Sequence, residues 1–235
     1  MDNNHRPYYV RNGVREANEA ANRVGASKAL TGYDCVKFHH ANTAQQEARS
    51  SSFDWFVYRY AEVLLINAEA HAELGTCTQD VLDKTINKLR DRVGMAHLTT
   101  TPVADAKPIN YGYPLSNLIY EIRRERRIEL IAEGFRLDDL KRWNAMKLME
   151  NPKTMLGIRI TPKSISGFPA GTFDGKDGRP TIEYNGATYL YQYKAAKQLD
   201  DAGRKWKAND RRFLYPLPKE ELVLNEALKP QNTGW

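Results

Sequence analysis

Arg59-Tyr-Ala-Glu-Val-Leu-Leu-Ile-Asn-Ala-Glu-Ala70 and the downstream Ile86-Asn-Lys-Leu-Arg-Asp-Arg92 decide the fold of this chain. In the first stretch, Ala61, Leu64, Leu65, Ala68 and Ala72 recur at the three- and four-residue steps that place side chains on one helical face. This spacing predicts a helix over 58–74, with Gly75 as its stop. Thr76, with Gln79 three residues on, reads as a capping box that opens a second helix. That helix extends to Val93, carries Leu82, Ile86, Leu89 and Val93 on one stripe, and has Gly94 beyond its end. The small residues Ala61, Ala68 and Ala72 let the two backbones approach closely. Phe56 and Tyr60, which flank the start of the first helix, are expected in the core.

A second pair follows. Pro102, Pro108, Gly112 and Pro114 make 95–114 a loop. A third helix is expected over 116–133, Gly134 interrupts it, and a fourth runs over 135–148. Thr31 to Lys37 reads as a turn entering a short strand, and Tyr189, Tyr191 and Tyr193 alternate as strand residues do. Residues 150–190, rich in Gly, Pro and Thr, form a long excursion with a hairpin or two. The tail, with Pro216, Pro218 and Pro230, is expected to run extended apart from a short helix near Lys219–Leu224. The fold class is therefore mainly α: tetratricopeptide-like helix pairs decorated with long loops and small β-hairpins. The chain divides into a loop-rich opening segment (1–57), the helix pairs (58–148) and a loop, hairpin and tail region (149–235) within one domain. Two helix pairs are fewer than the three repeats such arrays need to bury their faces.

Composition narrows the function. At 235 residues and 41% hydrophobic, the chain can bury one sizeable core. The net charge of +6 is modest. The densest charge cluster, Glu121 to Arg142, holds seven Lys or Arg against six Asp or Glu, a balanced network rather than a track for nucleic-acid phosphates. No run of 18 apolar residues is present, and residues 1–30 do not read as a signal peptide. Cys35 and Cys77 make no Cys-x-x-Cys pair. The five histidines lack metal-ligand spacing, and His71-Ala-Glu-Leu-Gly75 lacks the second His of a zinc-protease helix. Asp174-Gly-Lys-Asp-Gly178 reads as a tight turn, because Lys176 stands where a calcium loop needs an acid. Neither a phosphate loop nor a nucleophile elbow occurs. No cofactor and no metal is expected.

Two groups of side chains remain as candidates. Glu125, Glu129 and Glu133 lie along one helical face, where like charges repel unless cations meet them. Arg126, Arg136 and Arg142 are the expected cations. Read functionally, this could be a glycosidase carboxylate pair; read structurally, it is an ion network locking the third and fourth helices to their neighbours. So many guanidiniums would hold the carboxylates ionised and make them poor general acids, which favours the structural reading. The second group is aromatic: Tyr8, Tyr9, His39, His40, Trp55, Tyr111 and Tyr113 fall in or near expected loops, where rings can stack on sugar faces. Trp143 and Trp235 are expected to pack.

Four blocks stand in fixed order: the two quoted first, then Glu125-Arg-Arg-Ile-Glu-Leu-Ile-Ala-Glu-Gly-Phe-Arg136 with Asp139-Leu-Lys-Arg-Trp143, and finally Leu214-Tyr-Pro-Leu-Pro-Lys-Glu-Glu221 closing on Gln231-Asn-Thr-Gly-Trp235. Together they resemble the C-terminal part of the SusD/RagB family. The resemblance covers 31–235 and implies a SusD-like α-superhelix. It further implies a lipoprotein of the outer membrane and cell surface that captures an oligosaccharide, or another nutrient, without catalysis. Its implied partner is a SusC-like TonB-dependent transporter. Family members are implied to be about twice as long, so the N-terminal half of the fold, with its lipid anchor and most of its repeats, becomes a further expected partner. The family's shared motifs build scaffold, so the ligand residues come from the residue reading: Tyr8, Tyr9, Trp55, Tyr111 and Tyr113. Two rivals stand: a helical-repeat scaffold for protein–protein interaction, against which the two tail blocks argue, and a glycosidase.

Overall fold

A computed structural model describes residues 10–12, 31, 33–35, 37, 52, 54, 56–162, 180–191, 204–208 and 210–235. Strands β1 (Val10–Asn12) and β2 (Tyr33–Cys35) pair antiparallel, with Arg11 opposite Asp34. The helical layer follows: α1 (Tyr60–Glu73), α2 (Gln79–Lys84), α3 (Ile86–Val93), α4 (Asn117–Glu129) and α5 (Arg136–Arg142). Two 3₁₀ turns, Met146–Glu150 and Pro152–Thr154, lead to the hairpin β3 (Thr181–Tyr184) and β4 (Ala187–Leu190). The tail carries α6 (Lys219–Leu224) between the 3₁₀ turns Arg211–Phe213 and Glu226–Leu228. The fold is mainly α, as expected.

Helix α1 packs on α4 and on the α2–α3 arm. Its apolar stripe, Ala61, Leu64, Leu65 and Ala68, is buried with Leu82, Ile86, Leu89, Leu98, Ile122 and Leu130 in one cluster. Ala72 packs at its edge. Phe56, ahead of α1, is 49% and Tyr60, its first residue, 73% exposed, so neither is a core residue, and the face of α1 away from the cluster is open at Val63 and Ile66. Val93, the last member of the expected second stripe, is 45% exposed.

The second helix of the sequence reading is two helices. Thr85 breaks it with φ −123° and ψ −94°, and its hydroxyl turns back to the Val81 carbonyl. A β-branched residue that bonds its own preceding turn satisfies the broken ladder locally. The cap is Thr78, whose hydroxyl accepts the Val81 amide at 3.3 Å, while Thr76 bonds His71 instead. Asn87 holds the arm to the following loop: its Oδ1 accepts from the Leu98 amide at 2.7 Å and its Nδ2 donates to the Leu98 carbonyl at 3.1 Å.

Helix α4 opens on Ser116, whose hydroxyl accepts the Ile119 amide at 3.2 Å. It ends at Glu129, four residues before the expected Glu133. Ala132 at φ 64° and Gly134 at φ 90° reverse the chain there. Helix α5 stops at Arg142 rather than 148, because Asn144 at φ 49° leaves the helical region and only a 3₁₀ turn follows. The Asn185-Gly186 turn, at φ 49° and 70°, sets the register of the β3–β4 hairpin. Tyr189 lies in β4 and Tyr191 just beyond it; Tyr193 falls outside the described residues.

Residues 157–160 run beside β4. The Gly157 amide donates to the Leu190 carbonyl at 2.7 Å, and the Ile160 amide to Thr188 at 2.8 Å. The Ile158 amide reaches back to the Thr31 carbonyl at 2.8 Å, joining the opening segment to the hairpin. The backbones meet so closely that a Cβ on Gly157 would stand 2.6 Å from the Thr31 oxygen and 2.8 Å from the Leu190 Cβ. Gly157→Ala is therefore expected to lower stability by about 1–3 kcal/mol in a urea titration, and an unchanged midpoint would show that the junction yields freely.

Candidate functional site

Charge is buried throughout the helical layer. Arg59, just before α1, presents Nη1 to Glu129 at 2.9 Å and grips Glu133 with Nε and Nη2 at 2.9 and 2.6 Å. Lys37 donates to the carbonyls of Glu129 and Ile131 at 2.6 and 2.9 Å and to the Glu133 carboxylate. A cation on the exposed carbonyls of a helix C-terminus is favourably placed. From α3, Arg90 holds Glu125 at 2.8 Å and Arg92 holds Glu129 at 2.6 Å. The three glutamates are thus met by Lys37, Arg59, Arg90 and Arg92, not by the expected Arg126, Arg136 and Arg142. Arg126 reaches from α4 to α5, on which Arg136 and Arg142 themselves lie. Arg126 Nε donates to both Asp139 oxygens at 2.9 Å, and Arg142 bridges Asp139 and Glu69, its Nη1 and Nη2 lying 2.6 and 2.7 Å from the Glu69 oxygens. Trp143 Nε1 also donates to Glu69. Arg136 Nη1 and Arg126 Nη1 are buried with no acceptor among the described residues.

Burial alone would raise the Glu69 carboxyl, but its bonds to Arg142 and Trp143 hold it below the ordinary carboxylate range. The same opposition, with Arg59 and Lys37 as donors, keeps Glu133 low. Desolvation likewise lowers the Arg136 guanidinium, which leans on Tyr111 and Trp143.

The sequence-predicted ligand residues separate into two sets. Tyr8, Tyr9 and Trp55, together with His39 and His40, lie outside the described residues. Tyr111 and Tyr113 are brought together beside α4. The Tyr111 ring meets Tyr113, Tyr120 and Trp143 edge-on at 6.2, 6.2 and 6.4 Å, and the Arg123 guanidinium sits 4.8 Å from the Trp143 ring and 5.7 Å from that of Tyr111. Tyr111 is 5% exposed, so most of it packs. Tyr113 is half-buried; its hydroxyl donates to the Trp143 carbonyl and accepts from Arg123 at 2.8 Å.

Tyr111, Tyr113 and Tyr120 line an open cavity of about 340 Å³ together with Asp105, Asn110 and Asn117. Tyr120 pins the loop over it: its hydroxyl accepts the Ile109 amide at 3.1 Å and donates to Asp105 Oδ2 at 3.2 Å. Asp105 Oδ1 takes the Lys107 amide at 2.8 Å. That bond, with those from Tyr120 and Arg124, holds the Asp105 carboxyl below its ordinary value despite a desolvation that works the other way. Asn110 closes an Asx turn onto Gly112 at 2.7 Å, and Asn117 Nδ2 donates to the Pro102 carbonyl at 3.2 Å. Tyrosine rings, side-chain amides and an ionised carboxylate are groups that can serve a sugar, whose C–H faces pack on ring faces and whose hydroxyls both donate and accept. The sequence reading missed Asp105, Asn110, Asn117 and Tyr120. Asn110 two residues before Gly112 is the Asx-turn signal that could have flagged one of them. Among the described residues, no group of three or more His, Cys, Asp or Glu could hold a metal ion.

The tail closes on itself. The Gln231 amide exchanges two bonds with the Leu217 backbone, both at 2.8 Å, and Trp235 Nε1 donates to the Leu214 carbonyl at 2.9 Å while its ring lies 4.3 Å from the Arg211 guanidinium. Lys141 of α5 sits 4.4 Å over Tyr215, which ties the tail to the helical layer.

Tetratricopeptide-like helix pairs, buried ion pairs between them and a self-clasping tail define a class, and the SusD family profile matches residues 2–235: the chain belongs to the SusD family. SusD-like protein P2 of Formosa agariphila is 27% identical over 198 residues, covering 84% of this chain and 29% of that protein. SusD-like protein P38 of the same bacterium is 35% identical over 88 residues, 37% of this chain and 16% of that one. A solved SusD-like carbohydrate binding protein from Bacteroides fragilis matches 86% of this chain and 34% of its own, at 26% identity and a TM-score of 0.55. A second SusD-like structure from that bacterium matches 88% and 31%, at 26% identity and 0.50. The matched stretches span about a third or less of these relatives' own length.

Asp139 is 2% exposed and Arg126 5%. Asp139→Ala leaves a buried guanidinium unpaired and is expected to cost about 3–5 kcal/mol in a denaturant titration. Arg92, with a side chain 52% exposed, is expected to cost below about 1 kcal/mol as Arg92→Ala; equal costs for the two would mean that burial does not set the strength of the network. Because Glu69 and Glu133 are lowered from an ordinary value of 4.5, their contribution is present above that pH and is lost as pH falls through the lower folded values. Thermal melts are expected to hold their midpoint down to about pH 5 and to drop below about pH 4.

Proposed function

We propose that this chain is part of a non-catalytic glycan-binding protein of the outer membrane and cell surface, delivering an oligosaccharide to a SusC-like TonB-dependent transporter. The carrying observation is the cavity beneath the 104–117 loop, where Tyr111, Tyr113 and Tyr120 stand with Asp105, Asn110 and Asn117. Membership of the SusD family and likeness to a carbohydrate binding protein of that family support the reading. The ion network favours binding over hydrolysis, since Glu125 and Glu129 are engaged by close guanidiniums and Glu133 is held below its ordinary value by bonds to Arg59 and Lys37, which makes it a poor proton donor. Tyr8, Tyr9 and Trp55 join the proposed ligand residues.

An open apolar surface supports further polypeptide partners, namely the transporter and the part of the family fold that the longer relatives have. The outer face of α1 exposes Val63 and Ile66 at 56 and 53%, Leu74 just past its end is 76% exposed, and a cleft of about 640 Å³ at the α4–α5 corner is walled by Ile128, Ile131 and Phe135.

Isothermal titration against neutral and acidic glycans is the direct test. Affinity is expected in the range of about 1 μM to 1 mM, with little dependence on salt because a neutral sugar releases no counterions. Tyr113→Ala and Asn117→Ala are each expected to weaken binding by about fivefold or more. Intact glycan should be recovered after prolonged incubation. Binding of a peptide or DNA with no glycan bound, or release of reducing ends, would overturn the proposal.

A further inference from the structure

Asp105 lines two cavities at once. On one side is the aromatic cavity of about 340 Å³. On the other is a polar one of about 320 Å³, bounded by Arg90, His97, Thr99, Glu121 and Arg124. Both are large enough for a single pyranose ring, and the loop that follows α3 walls both. The shared carboxylate is held still by three donors: the Lys107 amide, the Tyr120 hydroxyl and, at 3.4 Å, Arg124 Nη1. A carboxylate offers about four acceptor positions, so capacity for a ligand hydroxyl remains.

Charge in the polar cavity is already matched. Arg90 faces Glu125 at 2.8 Å and Glu121 at 3.8 Å, and Arg124 faces Glu121 at 2.6 Å. A sulfate or uronate would have to compete with these carboxylates for the same cations, whereas sugar hydroxyls can accept from the guanidinium edges and donate to the acids without breaking the pairs.

We infer that the 97–120 region is a two-place groove for a neutral oligosaccharide of at least two units, one on the tyrosines and one in the polar cavity, with Asp105 bonding hydroxyls at the junction. The inference rests on the glycan-binding reading and adds the second place, the minimum ligand length and the preference for uncharged sugars. Distinct roles follow. His97 and Thr99 act on the second unit alone, and Asp105 acts on both.

The test uses the 235-residue chain and calorimetry with methyl β-glucoside and cellobiose, methyl α-glucoside and maltose, methyl β-xyloside and xylobiose, and digalacturonic acid. In the series that binds, the disaccharide is expected to bind about tenfold more tightly than the methyl glycoside, and digalacturonic acid more weakly than that neutral disaccharide. The double variant His97→Ala, Thr99→Val is expected to lower the disaccharide's affinity to that of the methyl glycoside. Asp105→Asn, with a melting temperature measured beside it, is expected to weaken both. A disaccharide no tighter than its methyl glycoside, an advantage that survives the double variant, or preference for digalacturonic acid would overturn the groove and leave glycan binding standing. Failure of every probe would overturn both.

Discussion

Helix α4 buries Glu121, Arg123 and Arg126 at 6, 6 and 5% exposure, and the arrangement of its neighbours follows from where their counter-charges must stand. A guanidinium in that environment is costly unless a carboxylate meets it in good geometry, the more so where a proton such as that on Arg126 Nη1 finds no acceptor among the described residues. Asp139 on α5 meets Arg126, Glu73 at the end of α1 meets Arg123, and Arg90 on α3 meets Glu125. Each pair crosses between elements, so moving any helix by one turn would strand a buried charge. The apolar cluster of α1, α2, α3 and α4 supplies the driving force for packing, and the ion pairs select one register from those the cluster would allow.

The proposed sugar site depends on the same helix. Tyr120 and Arg123 lie one turn apart on α4; Tyr120 pins the 105–109 loop and Arg123 holds Tyr113 while covering the rings of Tyr111 and Trp143. The loop has few backbone bonds of its own and takes its shape from side chains rooted in the rigid layer. That arrangement lets loop sequence, and with it ligand choice, change without disturbing the helices. It also explains why scaffold motifs could be read as family blocks while the proposed ligand residues could not.

Periodicity found the buried stripe of α1 almost residue by residue, because Ala61, Leu64, Leu65 and Ala68 obey a local geometric rule. It failed at helix ends. Thr85, Ala132 and Asn144 break or end helices through single backbone conformations that the residue types permit but do not demand. Phe56 and Tyr60 misled for another reason: being large and apolar states a preference for burial, but only the location of α4 decides which side of α1 is covered. The three glutamates announced that cations were needed, since like charges at helical spacing repel. The cations lie in Lys37, Arg59, Arg90 and Arg92, on three other segments, and long-range pairing of this kind leaves no mark in local spacing.

By itself, then, the sequence determined the helical class, the apolar stripes, the four ordered blocks that place the chain in its family, and the presence of a charge network in want of partners. All of these are properties of short windows or of motif order. Tertiary structure decided which cation meets which carboxylate, which face of α1 stays open, and that Tyr111 and Tyr113 stand with Tyr120 and Asp105 around one cavity. Those outcomes depend on distances between residues far apart in the chain, which only the packing of α1 against α4 and the turn-back of the 98–117 loop bring about.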